Sequence, residues 1–202
     1  MTHINCDDPN PLFFNPKFGI DLQGKAPKGI PLPTYGNYGG PNISGPLPPV
    51  DALDTLFRSH DEAILKAIIS DSVLTPDELV QPHAILINDI HHLLESDPVD
   101  DAGNPVYDAG ATLYGGFTIF ALTGQLAQFG LSGALDEALK ALTKQDEPDD
   151  PPPYTRSAAL NDAQGYMESG LAQLLPEEAG EARSLHGMLS IFEDQFADVL
   201  IA

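Results

Sequence analysis

The chain has 202 residues, enough to bury one sizeable apolar core, and carries 30 Asp and Glu against 9 Lys and Arg, a formal charge of −21. That charge repels nucleic-acid phosphates and strongly anionic lipid surfaces, and it favours cations, divalent ones included. A single cysteine, Cys6, excludes an internal disulfide framework and a cysteine-built zinc site. Apolar runs such as ALTGQLAQFGL are short and interrupted, so no membrane span is expected. The start, MTHINCDDPN, lacks the basic residues and apolar stretch of a secretory signal. Location is left open between export without a visible signal and the cytoplasm.

Residues 1–34 contain DDPNPLFFNPKFG and KAPKGIPLPTYG, with prolines too close together for a helix or a central strand. An extended N-terminal arm is expected, with Phe13, Phe14 and Phe18 lying along a core. A loop rich in glycine and asparagine follows, YGNYGGPNISGPLPPV, and leads into a helix capped near Val50 or Asp51. From Asp51 to about Ser70, Leu53, Leu56, Phe57, Ala63, Ile64, Ala67 and Ile68 recur at threes and fours, one stripe of an α-helix. His60 falls inside that stripe and Asp61 on its shoulder.

TPDE at Thr75 to Glu78 announces a second helix, with a threonine cap, a proline in the first turn and a glutamate closing a capping box. Pro82 is expected to split or kink it, leaving a main body from about His83 to Ser96. DPVDDAGNPVYDAG is rich in turn residues. Helices are expected from about Ala111 to Gly130 and from Ser132 to Gln145. An acidic Pro-rich linker occupies 146–154, and a C-terminal helical pair occupies 155–202, from about Arg156 to Leu175 and Pro176 to Leu200. No strand is strongly signalled, and the class is mainly α.

The chemistry concentrates at 35–64. A loop reading Tyr38-Gly39-Gly40-Pro41-Asn42 can turn several carbonyls inward, because glycine and asparagine accept unusual dihedral angles. Such oxygens, with a carboxylate from Asp61, suit a hard cation such as calcium. His60, adjacent but not ligating, would be placed to take a proton from a water.

This combination resembles the phospholipase A2 superfamily, whose calcium loop reads Y-x-G-x-G and whose catalytic helix carries a His-Asp pair. The loop match is Tyr38, Gly40 and Asn42, and the helix match is LFRSHD. Secreted members flank the pair with cysteines, where this chain has Leu56 and Phe57. A nearer likeness is to the disulfide-free phospholipase domains of parvovirus capsid proteins, with a Y-x-G-P-G-N loop and then PPV before the pair, and to disulfide-poor bacterial relatives. The resemblance spans Tyr35 to about Leu94, under about a third of the chain.

The resemblance implies a phospholipase A2-like core over 35–145, built on two antiparallel helices and a calcium loop, with additional C-terminal helices. It implies calcium held by the carbonyls of Tyr38, Gly40 and Asn42 and by the carboxylate of Asp61. The N–H of Gly40, with the ion, would form an oxyanion hole. His60 would activate water against the sn-2 ester of a glycerophospholipid at a membrane or micelle surface. A carboxylate from an opposing helix would orient His60, and Asp89 in HAILINDIHHLL is the expected residue, with Asp108 in reserve. Asp89 lies within the face of Leu86, Ile90 and Leu93, a costly place for an acid unless His60 awaits it; the other reading puts it at the stripe's edge in water.

Two positions depart from the family. Asn42 stands where the loop has glycine, and Ile64 stands where a tyrosine holds the orienting carboxylate; Tyr114 or Tyr107 would replace it from another helix. The alternative function is therefore a calcium-dependent binding or interaction module on the same fold, and a plain helical structural protein stands third. His83, His91 and His92 are not spaced as a zinc pair on one helix face and are expected to be solvated or capping. Asp97, Asp100, Asp101, Asn104 and Asp108 do not follow the EF-hand order. Leu189, Phe192, Phe196 and Leu200 are expected to enter a core.

Overall fold

A computed structural model of the chain describes residues 12–15, 32–40, 47–71, 75–96, 109–143 and 152–173. Its elements run β1 (Leu12–Asn15), β2 (Leu32–Tyr35), α1 (Ala52–Asp71), α2 (Pro76–Glu95), α3 (Ala109–Gln128), α4 (Ser132–Leu142) and α5 (Arg156–Gln173). The fold is mainly α. None of the described helices is long and apolar enough to cross a membrane.

The arm contributes a small antiparallel ribbon, with Leu12 opposite Tyr35 and Phe14 opposite Pro33, and this ribbon lies against α3. Proline is compatible with it because each strand of a two-stranded ribbon has an outer edge that needs no donor. Strands of four residues carry too little alternation to be read locally, which is why the arm reads as merely extended.

α1 begins as its sequence predicts. Asp51 Oδ1 accepts the amide of Asp54 at 2.8 Å, satisfying one of the donors that a helix start leaves without a partner. Leu53 and Phe57 are buried, the middle of the expected stripe at Ala63, Ile64 and Ala67 is half-buried, and its far end, Ile68, is 43% exposed.

α2 opens on the capping box of Thr75 and Glu78 with Pro76 in its first turn, and it runs unbroken through Pro82. Proline there removes one donor, and the buried face of His83, Ala84, Leu86, Ile87 and Ile90 carries the helix past it.

α3 is buried on nearly every side, as its uniformly apolar sequence requires. It packs chiefly along α5 and also on α2. A Cβ at Gly116 would stand 2.7 Å from the carbonyl oxygen of Ala163, so only glycine allows α5 this close. α5 buries Ala159, Ala163 and Met167 in the same apolar cluster as α2 and α3. The segment after the linker thus shares the core of the segment before it.

His91 of α2 secures that junction. Its ring stacks on Tyr154 with centroids 4.1 Å apart. Nδ1 lies 3.2 Å from both the Tyr166 hydroxyl and Asp162 Oδ2, and Nε2 lies 3.2 Å from Glu95. Burial holds its pKa below the ordinary imidazole range, with His92 adding to the depression, while the two carboxylates oppose it. A solvated role does not describe this residue, which packs between two helices. The expected features at 97–108, including Tyr107 and Asp108, and the helix expected at 176–200 lie outside the described residues.

Candidate functional site

The loop after β2 closes on itself through a reciprocal pair, Tyr35 N–H to Gly39 O at 2.7 Å and Gly39 N–H to Tyr35 O at 2.8 Å. Gly36, inside the bend, has φ +54°. A Cβ there would stand 2.4 Å from the Asp54 carboxylate carbon, so both the dihedral and the space demand glycine.

Asp54, fully buried on the first turn of α1, binds this loop through main-chain donors. Its Oδ2 accepts the amides of Asn37 at 2.9 Å and Val50 at 3.0 Å, and its Oδ1 accepts that of Tyr38 at 2.8 Å. Burial raises its pKa above the ordinary carboxylate value, and the three amides oppose that rise. Around it, Asn37 Nδ2 donates to Pro48 O and the Tyr38 hydroxyl to Leu47 O, each at 2.8 Å. The Tyr35 hydroxyl donates to Asp51. The Tyr35 ring stacks on Tyr114 at 5.5 Å, and Phe57 meets Tyr114 edge-on at 5.4 Å. The loop is thereby anchored to the head of the helix that bears His60 and Asp61.

His60 and Asp61 lie further along α1, Asp61 about 10 Å beyond Asp54 at the rise of an α-helix. The His60 side chain is 15% exposed and that of Asp61 34%. His60 Nε2 is 3.0 Å from His83 Nδ1, and His60 Nδ1 is 3.8 Å from Asp61 Oδ1. The single ring of His60 therefore meets two environments through its two nitrogens, Nε2 toward buried His83 and Nδ1 toward Asp61. His83 Nε2 in turn is 3.1 Å from Gln125 Oε1 of α3. Burial, with the charge of a protonated His60 adding to it and the Gln125 hydrogen bond opposing both, lowers the His83 pKa to about 4. His83 is therefore neutral at pH 7.

The expected residues fall as follows. His60, Asp61, Tyr38 and Gly40 are all on α1 or the loop docked to it; Asn42 lies outside the described residues. The expected pairing of His60 with Asp89 is replaced by the contact of His60 with His83. The buried centre of α2 runs through His83, Ala84, Ile87 and Ile90, which leaves Asp89 on the shoulder, half-buried. Tyr114 is buried against Tyr35 and Phe57 instead of supporting Asp89; burial, with the Asp54 and Asp61 charges, raises its pKa.

Gly39 O is turned inward to Tyr35, and Gly39 N–H is also turned inward. In a trans peptide the carbonyl opposes the N–H, so the Tyr38 carbonyl is turned outward from the bend. The Tyr38 carbonyl and the partly exposed Asp61 carboxylate are both oxygen donors, the kind a hard cation takes.

Three participants escape a reading of the sequence. Asp54 stands at Leu53-Asp54-Phe57, an acid on the apolar stripe of α1, and that placement is its signal. His83, expected to be solvated or capping, is instead 3% exposed; it precedes Ile87, Ile90 and Leu94 at spacings of four, three and four, which puts it on the buried face. Gln125, an exposed position on α3, has no local signal at all. Searches of family models, curated proteins and solved structures found no match to this chain.

Proposed function

We propose that this protein is a calcium-dependent lipolytic esterase of the phospholipase A2 type, hydrolysing the sn-2 ester of glycerophospholipids. The observation that carries the reading is the split environment of His60. Its Nε2 is held by a buried neutral residue, and its Nδ1 is turned toward Asp61. An imidazole held at one nitrogen and open at the other is what a general base on water requires. The resemblance of the loop and of LFRSHD, together with the docking of that loop onto the same helix, supports the rest.

In this reading α1 and α2 are the two antiparallel helices of the core, and the carbonyls of Tyr38, Gly40 and Asn42 with the Asp61 carboxylate would hold calcium. When bound, calcium supplies a Lewis acid that polarises the ester carbonyl. His60 Nδ1 removes the proton from the attacking water and returns it to the leaving alkoxide oxygen as the acyl C–O bond breaks. The Gly40 N–H donates to the oxygen that gains charge. Asp54 keeps the loop at the head of the helix so that these groups share one site.

A second reading, a calcium-dependent binding module without hydrolysis, is favoured by one specific feature. A carboxylate beside the base offsets the positive imidazolium formed during proton transfer, and His83 is uncharged at pH 7. One titration separates the two. Calcium is added to the protein while fatty-acid release from mixed phospholipid micelles and melting temperature are followed together. The esterase reading expects both to rise with calcium and both responses to disappear in Asp61→Asn. Stabilisation by calcium without fatty-acid release, at every substrate presentation, favours the binding module.

A further inference from the structure

Which nitrogen of His60 carries the proton decides whether it can act as a base toward Asp61, and His60 itself does not determine it. A neutral imidazole has one N–H and one lone pair, and the choice is fixed by the partners of the two nitrogens. We propose that Gln125 acts through His83 as a positioning relay, fixing His60 as the tautomer protonated on Nε2 and leaving Nδ1 as the basic nitrogen. The proposal rests on the assignment of His60 as the general base and adds the residues that set its protonation pattern.

Gln125 presents Oε1 to His83 Nε2 at 3.1 Å, and a carbonyl oxygen can only accept. His83 Nε2 therefore carries the hydrogen. His83 is neutral at pH 7, so its Nδ1 holds a lone pair. The contact of 3.0 Å from that lone pair to His60 Nε2 is a hydrogen bond only if His60 donates. In its neutral form His60 then has no proton on Nδ1, the nitrogen 3.8 Å from Asp61 Oδ1. That separation is too long for a direct hydrogen bond, and the lone pair is left for a water proton.

Turning the Gln125 amide by half a rotation reverses every link. Its N–H group would donate to His83 Nε2, His83 would donate from Nδ1 to His60 Nε2, and His60 would carry its proton on the side of Asp61. The basic nitrogen would then be buried against His83. A side chain on a third helix, absent from the motif, thus selects between a working and a silent histidine. Burial gives the relay its authority: His83 is 3% exposed, so water does not compete for its Nδ1.

The test uses ring-nitrogen NMR on the full-length protein without calcium or lipid, for the parent, Gln125→Leu and Gln125→Glu. Gln125 is exposed on α3, so both variants are expected to keep the parent circular dichroism. The parent and Gln125→Glu, which keeps an oxygen acceptor, should show a protonated-type signal at His60 Nε2 and a lone-pair-type signal at Nδ1. Gln125→Leu should show His60 exchanging between both tautomers. Fatty-acid release should fall on the order of 10–100-fold in Gln125→Leu, less than the roughly 10²–10⁴-fold contributed by a general base itself, and recover in Gln125→Glu. A parent protonated on His60 Nδ1, or a folded Gln125→Leu with the parent's tautomer, overturns the relay. Because the NMR needs no substrate, the relay stands if the tautomers behave as stated in a protein that releases no fatty acid, and only the esterase reading then fails.

Discussion

Asp54 Oδ1 lies 2.8 Å from the amide nitrogen of Tyr38, bridging sixteen residues of sequence. The acid at the head of α1 holds the loop by its donors, and Asp61, further along the helix, lies 3.8 Å from His60 Nδ1. Two acids on one helix therefore have separate tasks, one as anchor and one as ligand in the proposed site.

Asp54→Asn should dismantle this anchor. Three amides converge on two carboxylate oxygens, and an asparagine must present its own N–H₂ to at least one of them. A buried donor left without an acceptor costs about 1–3 kcal/mol. Thermal unfolding should register that loss, whereas Asp51→Asn, which keeps a capping oxygen, should lose less. Equal stability of Asp54→Asn and the parent would refute the clamp.

Gly36→Ala tests the same contact from the loop side. The substitution places a methyl group at φ +54° and 2.4 Å from the Asp54 carboxylate carbon. Backbone strain of this kind costs about 1–3 kcal/mol, and the steric conflict adds to it. The melting temperature should fall clearly, and calcium should bind more weakly if the displaced loop supplies ligands.

Much of this was legible in the sequence, for reasons that are themselves physical. The capping box at Thr75 and Glu78, the glycine-rich bend and the stripe through Leu53 and Phe57 are local patterns, and each lies where its pattern puts it. The placement of His60 on the inner side of α1 follows from the same periodicity. Its partner does not, because His83 is 23 residues away and Gln125 a further 42. Asp89 and His83 both lie near the apolar stripe of α2, and only the packing of α2 on its neighbours decides which is central. Likewise the ribbon of β1 and β2 depends on a pairing between distant short segments.

His83 should leave a signature in the pH dependence of stability. The unfolded chain takes up this proton near 6.5 and the folded chain only near 4. Between those values the unfolded state holds more protons, so stability is complete above about 6.5 and declines as pH falls toward 4. The size is about 3 kcal/mol, from roughly 1.4 kcal/mol per unit. Denaturant titrations across that window should show a shallower decline in His83→Gln, which does not titrate. Asp54, whose raised pKa works in the opposite direction, is present in both proteins and drops out of the comparison.

His91→Ala should loosen the junction between α2 and α5. It removes the stack on Tyr154 and the contact with Tyr166, together about 1–3 kcal/mol by ordinary values for an aromatic pair and a hydrogen bond. His91→Phe keeps the stack alone and should recover part of the loss. Hydrogen exchange of the α5 amides locates the effect, since a change confined to α2 would contradict the role given to His91.

The central claim is that His60 removes a proton from water beside a calcium ion held in part by Asp61. Its most direct measurement is fatty-acid release from phospholipid micelles in saturating calcium by His60→Gln, with calcium-dependent melting followed in the same samples. The account predicts that hydrolysis falls by about 10²–10⁴-fold while calcium still raises the melting temperature as it does in the parent. Hydrolysis by His60→Gln at the parent's rate would contradict it.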